Sequence, residues 1–272
     1  MPDAALERVL KRDTVILAVA LLTLTALAWA YLFRLSAEMS DAAAMASMPG
    51  MNMPGMVMGP ALKPWALPDF AFTFAMWAVM MIGMMTPSAS PMILIYARVA
   101  QQARDQGKPF AAAGWFAGGY LLAWTGFAGL ASLAQGALTQ AALITPMLAA
   151  ASPRFGGLVL VAAGLYQFTP IKDSCLAQCQ TPLSFLQRHG GFKRDPLGSL
   201  RMGLTHGVYC IGCCWALMLL LFVGGVMNVL WIAGLSVLVL LEKVVPRGRI
   251  VTRGAGLVLI AAGAIYLLHT GT

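Results

Sequence analysis

Seven apolar runs, at about residues 14–35, 70–97, 111–138, 145–170, 200–223, 226–241 and 252–269, leave this chain few ways to fold. An α-helix needs roughly 20 apolar residues to cross about 30 Å of hydrocarbon, and most of the runs approach or exceed that length. Strands of a membrane barrel would instead alternate over about ten residues. Only 10% of the 272 residues are charged and 60% are hydrophobic, which excludes an ordinary soluble domain. The expectation is an all-α polytopic membrane helix bundle with about seven transmembrane helices, the sixth of them short. The second run contains Thr86-Pro87-Ser88-Ala89-Ser90-Pro91. Two prolines remove two helical donors, so this helix is predicted to be kinked or broken at Pro87/Pro91.

The positive charges set an orientation. Arg8, Lys11 and Arg12 precede the first run, and Arg98, Arg104 and Lys108 follow the second. Lys172, Arg188, Lys193, Arg194 and Arg201 lie between the fourth and fifth, and Lys243, Arg247, Arg249 and Arg253 between the sixth and seventh. The alternate loops hold only Arg34, Lys63 and Arg154. By the positive-inside rule the N-terminus is cytoplasmic and the C-terminus outside, as in a multi-pass protein of the bacterial inner membrane. The formal net charge of +8 then belongs to inner loops and not to a nucleic-acid surface. Lys11-Arg12 followed by an apolar stretch and Ala28-Trp29-Ala30 imitates a cleavable signal. The stretch continues to Leu35, which favours an uncleaved anchor. The expected organisation is residues 1–35 as cytoplasmic N-terminus and first anchor, 36–69 as an external loop, and 70–272 as the bundle, with a cytoplasmic loop at about 171–200.

The external loop is rich in methionine. From Met39 to Pro60 it holds Met39, Met45, Met48, Met51, Met53, Met56 and Met58, and no Lys, Arg, Asp or Glu lies between Ala42 and Leu62. Its Pro-Gly steps preclude a regular element. A thioether is neutral, soft and insensitive to pH, so a row of them suits Cu(I) better than zinc, calcium or magnesium. Met45, Met48, Met51, Met53, Met56 and Met58 are therefore candidate external capture ligands. The competing use of these methionines is as an amphipathic lid packed on lipid or on the bundle.

Inside the bundle the fifth run carries Met202, His206, Cys210, Cys214 and Met218, one every four residues, with Cys213 beside them. Residues four apart share a helix face, so the ladder climbs roughly 24 Å of one face. Three cysteines within five residues and a histidine in line favour ligation over simple packing, although a lone free cysteine packs as a small hydrophobe. The second run contributes Met76, Met80, Met81, Met84 and Met85, which core packing alone would explain were the ladder absent. Antiparallel to the fifth run, these sulfurs could face the ladder at matching depth. The candidate intramembrane ligands are Cys210, Cys213, Cys214, His206, Met218, Met80, Met81, Met84 and Met85. A bare thiolate in hydrocarbon is costly, so one thiolate with neutral partners on Cu(I) balances charge, as two thiolates do on Zn²⁺. The abundance of methionine favours copper and leaves zinc second.

Cys175 and Cys179 follow Pro170 and form a plausible two-thiolate site at the inner mouth, open to either metal or redox duty. His189 is expected in solvent, His269 at the interface, and Glu242-Lys243 as an anchor where the sixth helix meets the cytoplasmic surface.

Trp77-Ala78-Val79-Met80-Met81-Ile82-Gly83-Met84-Met85-Thr86-Pro87, Cys175-Leu176-Ala177-Gln178-Cys179, Tyr209-Cys210-Ile211-Gly212-Cys213-Cys214-Trp215, Gly225-Val226-Met227-Asn228 and Glu242-Lys243 resemble a bacterial family of uncharacterised, predicted metal-binding integral membrane proteins. The similarity spans about residues 70–250 and leaves out the methionine-rich loop. It implies metal binding in a membrane bundle and specifies neither metal nor direction. Three functions compete. The first is Cu(I) binding or transfer across the inner membrane, a non-enzymatic role with the metal ion, the bilayer and a copper chaperone or metalloenzyme assembly partner as its contacts. The second is a membrane thiol–disulfide oxidoreductase using Cys210/Cys213 and Cys175/Cys179. The third is a non-catalytic membrane assembly partner.

Overall fold

The computed structural model describes residues 3–46, 66–107, 113–145 and 148–268. Their helices are α1 (Asp3–Ala46), α2 (Leu67–Asp105), α3 (Ala113–Gln140), α4 (Pro153–Tyr166), α5 (Pro170–Gln180), α6 (Pro182–Arg188), α7 (Pro196–Leu219), α8 (Leu221–Gly224), α9 (Val229–Val244) and α10 (Gly248–Leu268). Among the described residues there is no strand beyond one isolated bridge, Ile144 with Ala150. The all-α expectation therefore stands.

Among the described residues, five segments are long and apolar enough to cross a membrane: Val15–Asp41, Leu67–Ala103, Ala113–Gln140, Pro196–Gly224 and Gly248–Leu268. The sequence led us to expect seven. The fourth and sixth runs form α4 and α9, of 14 and 16 residues. At 1.5 Å per residue these reach only about 21 and 24 Å, short of a hydrocarbon core. Their ends explain the shortfall. Ser152 caps the start of α4 by accepting from Phe155 N, and Pro170 opens a new helix under a Thr169 cap. Asn228 caps α9 in the same way, and Pro246 follows two residues beyond its end.

Of the kink or break expected in the second helix, the break is absent. α2 runs unbroken through Pro87 and Pro91. Pro87 has no N–H, so the carbonyl four residues earlier, at Gly83, loses its helical donor. The Trp29 indole of α1 supplies one, with Nε1 3.3 Å from Gly83 O. The helix survives because its neighbour satisfies the orphan. α1 also runs further than expected, through Ala46, since Ala, Glu and Met favour helix until Pro49. Met39 and Met45 thus lie on its last turns. Met48, Met51, Met53, Met56 and Met58 fall outside the described residues, as does His269.

α2 packs against α1, α3 and α9, α7 packs chiefly against α3 and α5, and α4 pairs with α10. The α3–α7 crossing is the tightest. A Cβ on Gly203 would overlap the Phe116 carbonyl, and one on Gly119 would overlap the Leu200 carbonyl. Glycines on both helices let the backbones touch, as in the small-residue contacts of membrane helices. The outward faces are apolar, with Val15, Val19, Leu22, Leu130, Leu158, Leu257 and Val258 all exposed. That pattern fits lipid as the surrounding solvent.

Gly203→Ala should lower the thermal unfolding midpoint of the detergent-solubilised protein by the equivalent of about 1–3 kcal/mol, because the backbone it meets cannot yield. Gly126→Ala, where nothing lies within 4 Å of the added carbon, is the control and should be neutral or raise the midpoint by the equivalent of up to about 1 kcal/mol. Equal midpoints would rule out the close crossing.

Candidate metal centre

Asp195 starts α7 by accepting from Gly198 N at 2.6 Å, with Pro196 at the first helical position. From there the fourfold spacing works as the sequence implies. Met202, His206, Cys210, Cys214 and Met218 are all buried, and Cys213 is fully so. Met80, Met81, Met84 and Met85 of α2 are buried in the same core. The two sulfur rows do not meet backbone to backbone, because α3 and α9 flank α2 while α3 and α5 flank α7. Side chains span the space between them.

The centre of that space is Cys210. Lys243 Nζ donates to Cys210 Sγ at 2.8 Å and to Ser88 Oγ at 3.2 Å. The Tyr120 hydroxyl lies 3.1 Å from Cys210 Sγ and donates to Met85 O at 3.2 Å. Ser88 donates to the same Met85 carbonyl at 2.9 Å. Tyr120, Ser88 and Lys243 thus tie α3, α2 and α9 to one thiol of α7. The Cys213 and Cys214 thiols both donate to Cys210 O, at 3.1 and 3.0 Å.

α5 brings a fourth thiol. Cys179 lies beside Cys210 and Cys213, and their proximity, with burial, raises its thiol well above the ordinary range. Cys175 rests on the α7 backbone at Gly212, where an added Cβ would stand 2.8 Å from its Sγ. Burial, then the proximity of Cys213, raises the Cys175 thiol. The cysteine pair expected at the inner mouth thus lies close to the α7 cysteines. Among the described residues, however, no group of three or more His, Cys, Asp or Glu side chains is disposed around one point as a finished ion cage.

His206 sits one turn from Cys210 inside a ring of Phe116, Tyr120 and Phe185, whose centroids lie 5.9, 5.8 and 5.0 Å away. Its Nδ1 has no partner among the described residues. His189, expected in solvent, is half-buried, with Nδ1 2.8 Å from Phe185 O.

Glu242 and Lys243 correct the sequence reading most. Placed there at the membrane surface, they are buried at 1% and 7% exposure. α9 is too short to carry them to a far surface, and α5 folds over its end. Lys172 Nζ donates to Glu242 Oε2 at 2.7 Å, both side chains being almost wholly enclosed, and Gln180 Nε2 donates to Glu242 O at 2.6 Å. This clamp holds α5, and so Cys179, against α9 and Lys243. Spacing gave no sign of Tyr120, Ser88 or Lys172. For Lys243 there was a sign in the shortness of its apolar run.

Breaking one partner of the clamp should cost about 3–5 kcal/mol, since Glu242 would be stranded without its cation. Lys172→Met should therefore unfold far earlier than Lys172→Met/Glu242→Leu, measured by thermal denaturation in detergent. If the double variant is no more stable than the single one, the pair does not act as a clamp.

A family model, PpoB2, described as a copper chaperone, matches residues 74–266, well over half the chain. The match takes in α2 to α10 with every cysteine, and excludes α1 and the methionine-rich stretch. No curated protein and no solved structure matches.

Proposed function

The chain belongs to this copper chaperone family, and on that footing we propose that it is a membrane-embedded Cu(I) carrier whose cargo is held and passed by cysteine, methionine and histidine. The observation that carries the proposal is the convergence of cysteines from two separate helices, with Cys175 of α5 against Gly212 and Cys179 beside the buried Cys210 and Cys213 of α7. Soft thiolate and thioether ligands select Cu(I), and the buried methionines of α2 extend the sulfur lining beyond the thiols. In this reading the methionine-rich segment collects Cu(I) outside the inner membrane, and Met218, Cys214 and Cys210 receive it. Cys175 and Cys179 then hold it on the cytoplasmic side, with His206 a neutral ligand in line. Zinc is the less suited cargo, because nothing in the α2 row offers it a hard or anionic ligand.

Full-length protein purified after growth with copper should carry close to one copper per chain. Cys210→Ser, Cys213→Ser and Cys214→Ser should each lose most of it by elemental analysis. Unchanged copper in all three would sink the proposal. The same Cys179 contact also favours a second reading, thiol–disulfide exchange between the α5 and α7 cysteines. Metal-free protein in which mild oxidant links Cys179 to Cys210 or Cys213, reversibly by dithiothreitol, would support that reading instead.

Deleting residues 47–62 tests the collecting role. Cells carrying that variant should load copper several-fold more slowly from dilute medium, while protein loaded to completion still holds the same amount. An equal loading rate would remove the methionines from the path.

A further inference from the structure

The enclosed ammonium of Lys243 has one consequence that the cysteine count alone does not reveal. Its Nζ is a pure donor, and its hydrogen-bond partners among the described residues are a thiol sulfur and a hydroxyl. No carboxylate lies within ion-pair distance of it among the described residues. Lys172 takes Glu242, Arg253 lies 4.0 Å from Asp173, and Lys243 belongs to neither pair. An enclosed cation needs an anion, and the group in contact that can become one is the Cys210 thiol.

We propose that Lys243 is a fixed counter-cation that sets the charge of the cargo: the centre takes a monovalent soft ion, Cu(I) or Ag(I), between two thiolates, and discriminates against divalent ions. The inference rests on the copper reading and narrows it. In the loaded centre a monovalent ion is bonded to the sulfurs of Cys210 and of Cys213 or Cys179, whose protons have gone to the aqueous phase. One ammonium, two thiolates and one M⁺ then sum to zero. A divalent ion between the same two thiolates leaves one uncompensated positive charge, which an enclosed site tolerates poorly. A third thiolate would cancel it, but no three such side chains are disposed around one point among the described residues. Without the ammonium, the balance reverses. Two thiolates then match a divalent ion and leave a monovalent one with a net negative charge.

The test is competition between Ag(I) and Zn(II) for the full chain in detergent, read as bound metal by mass spectrometry. Wild-type protein should hold Ag(I) and almost no Zn(II). Lys243→Met and Lys243→Gln should each shift the bound Ag(I):Zn(II) ratio towards zinc by roughly tenfold or more, and Lys243→Arg should restore the wild-type ratio. The same ratio in all four proteins would overturn the inference, as would stoichiometric Zn(II) on the wild type, a result that requires no variant to fold. Cys210→Ser separates the two proposals. If it still binds Ag(I) as the wild type does, the copper centre itself is misplaced. If only it loses Ag(I) while the Lys243 variants keep the wild-type ratio, the centre stands and the role of Lys243 falls.

Discussion

The contact of α3 with α7 at Gly119 and Gly203 fixes the geometry of everything around the centre. With backbone on backbone there, Phe116 and Tyr120 are carried directly over the ladder, so His206 is ringed by aromatics and the Tyr120 hydroxyl reaches Cys210. Larger residues at the crossing would push α3 outward and leave the Cys210 thiol without its phenol. In lipid no hydrophobic drive holds two helices together, so close packing of small residues carries much of that task. The consequence is a Cys210 thiol whose hydrogen-bond partners come from α3 and α9, while Cys213 and Cys214 of α7 hold its carbonyl.

A second constraint is charge. Lys172, Glu242 and Lys243 are enclosed in the described structure, which water would not readily compensate. Lys172 and Glu242 neutralise each other, and their contact also docks α5 on α9. Lys243 has no such partner and turns to sulfur. One ion pair thus positions the cysteines of α5, and a neighbouring residue sets the electrostatics of the cysteines of α7. The adjacency of Glu242 and Lys243 links the two tasks through one turn of α9.

The all-α fold and the inward ladder were legible because both are periodic. Fourfold spacing put Met202, His206, Cys210, Cys214 and Met218 on one face, and that face is buried. The count of long helices was less legible. An apolar run does not reveal where caps and prolines cut it, and Ser152, Thr169 and Asn228 cut α4 and α9 short. The uninterrupted course of α2 depends on Trp29, 54 residues away from Gly83, a tertiary rescue that no local pattern encodes. The same holds for the centre. Cys179 meets Cys210 only because the chain turns at Pro170 and α5 lies against α7, and nothing in their separation along the chain announces it.

Charge and sulfur together also revise how the ladder can be used. With a neutral interior, one thiolate per Cu(I) would be the balanced count, and every step could be alike. The ammonium at Cys210 makes the middle of the ladder different from its ends. On the proposed reading Met218 and the α2 methionines would offer neutral thioethers, whereas metal-bound Cys210 would offer a charge-compensated thiolate. A monovalent ion moving along such a row would then meet its deepest well at Cys210, and leaving it would require a competing thiolate. Cys179, beside both Cys210 and Cys213, would be placed to compete for it. Ligand exchange at that contact then needs no large helix motion. A thiol proton is given up as a sulfur–metal bond forms, and the released thiolate can take a proton in turn. On this argument the slow step of any transfer lies at the α5–α7 contact and not along the methionine row, because only there must a charged ligand be replaced by another.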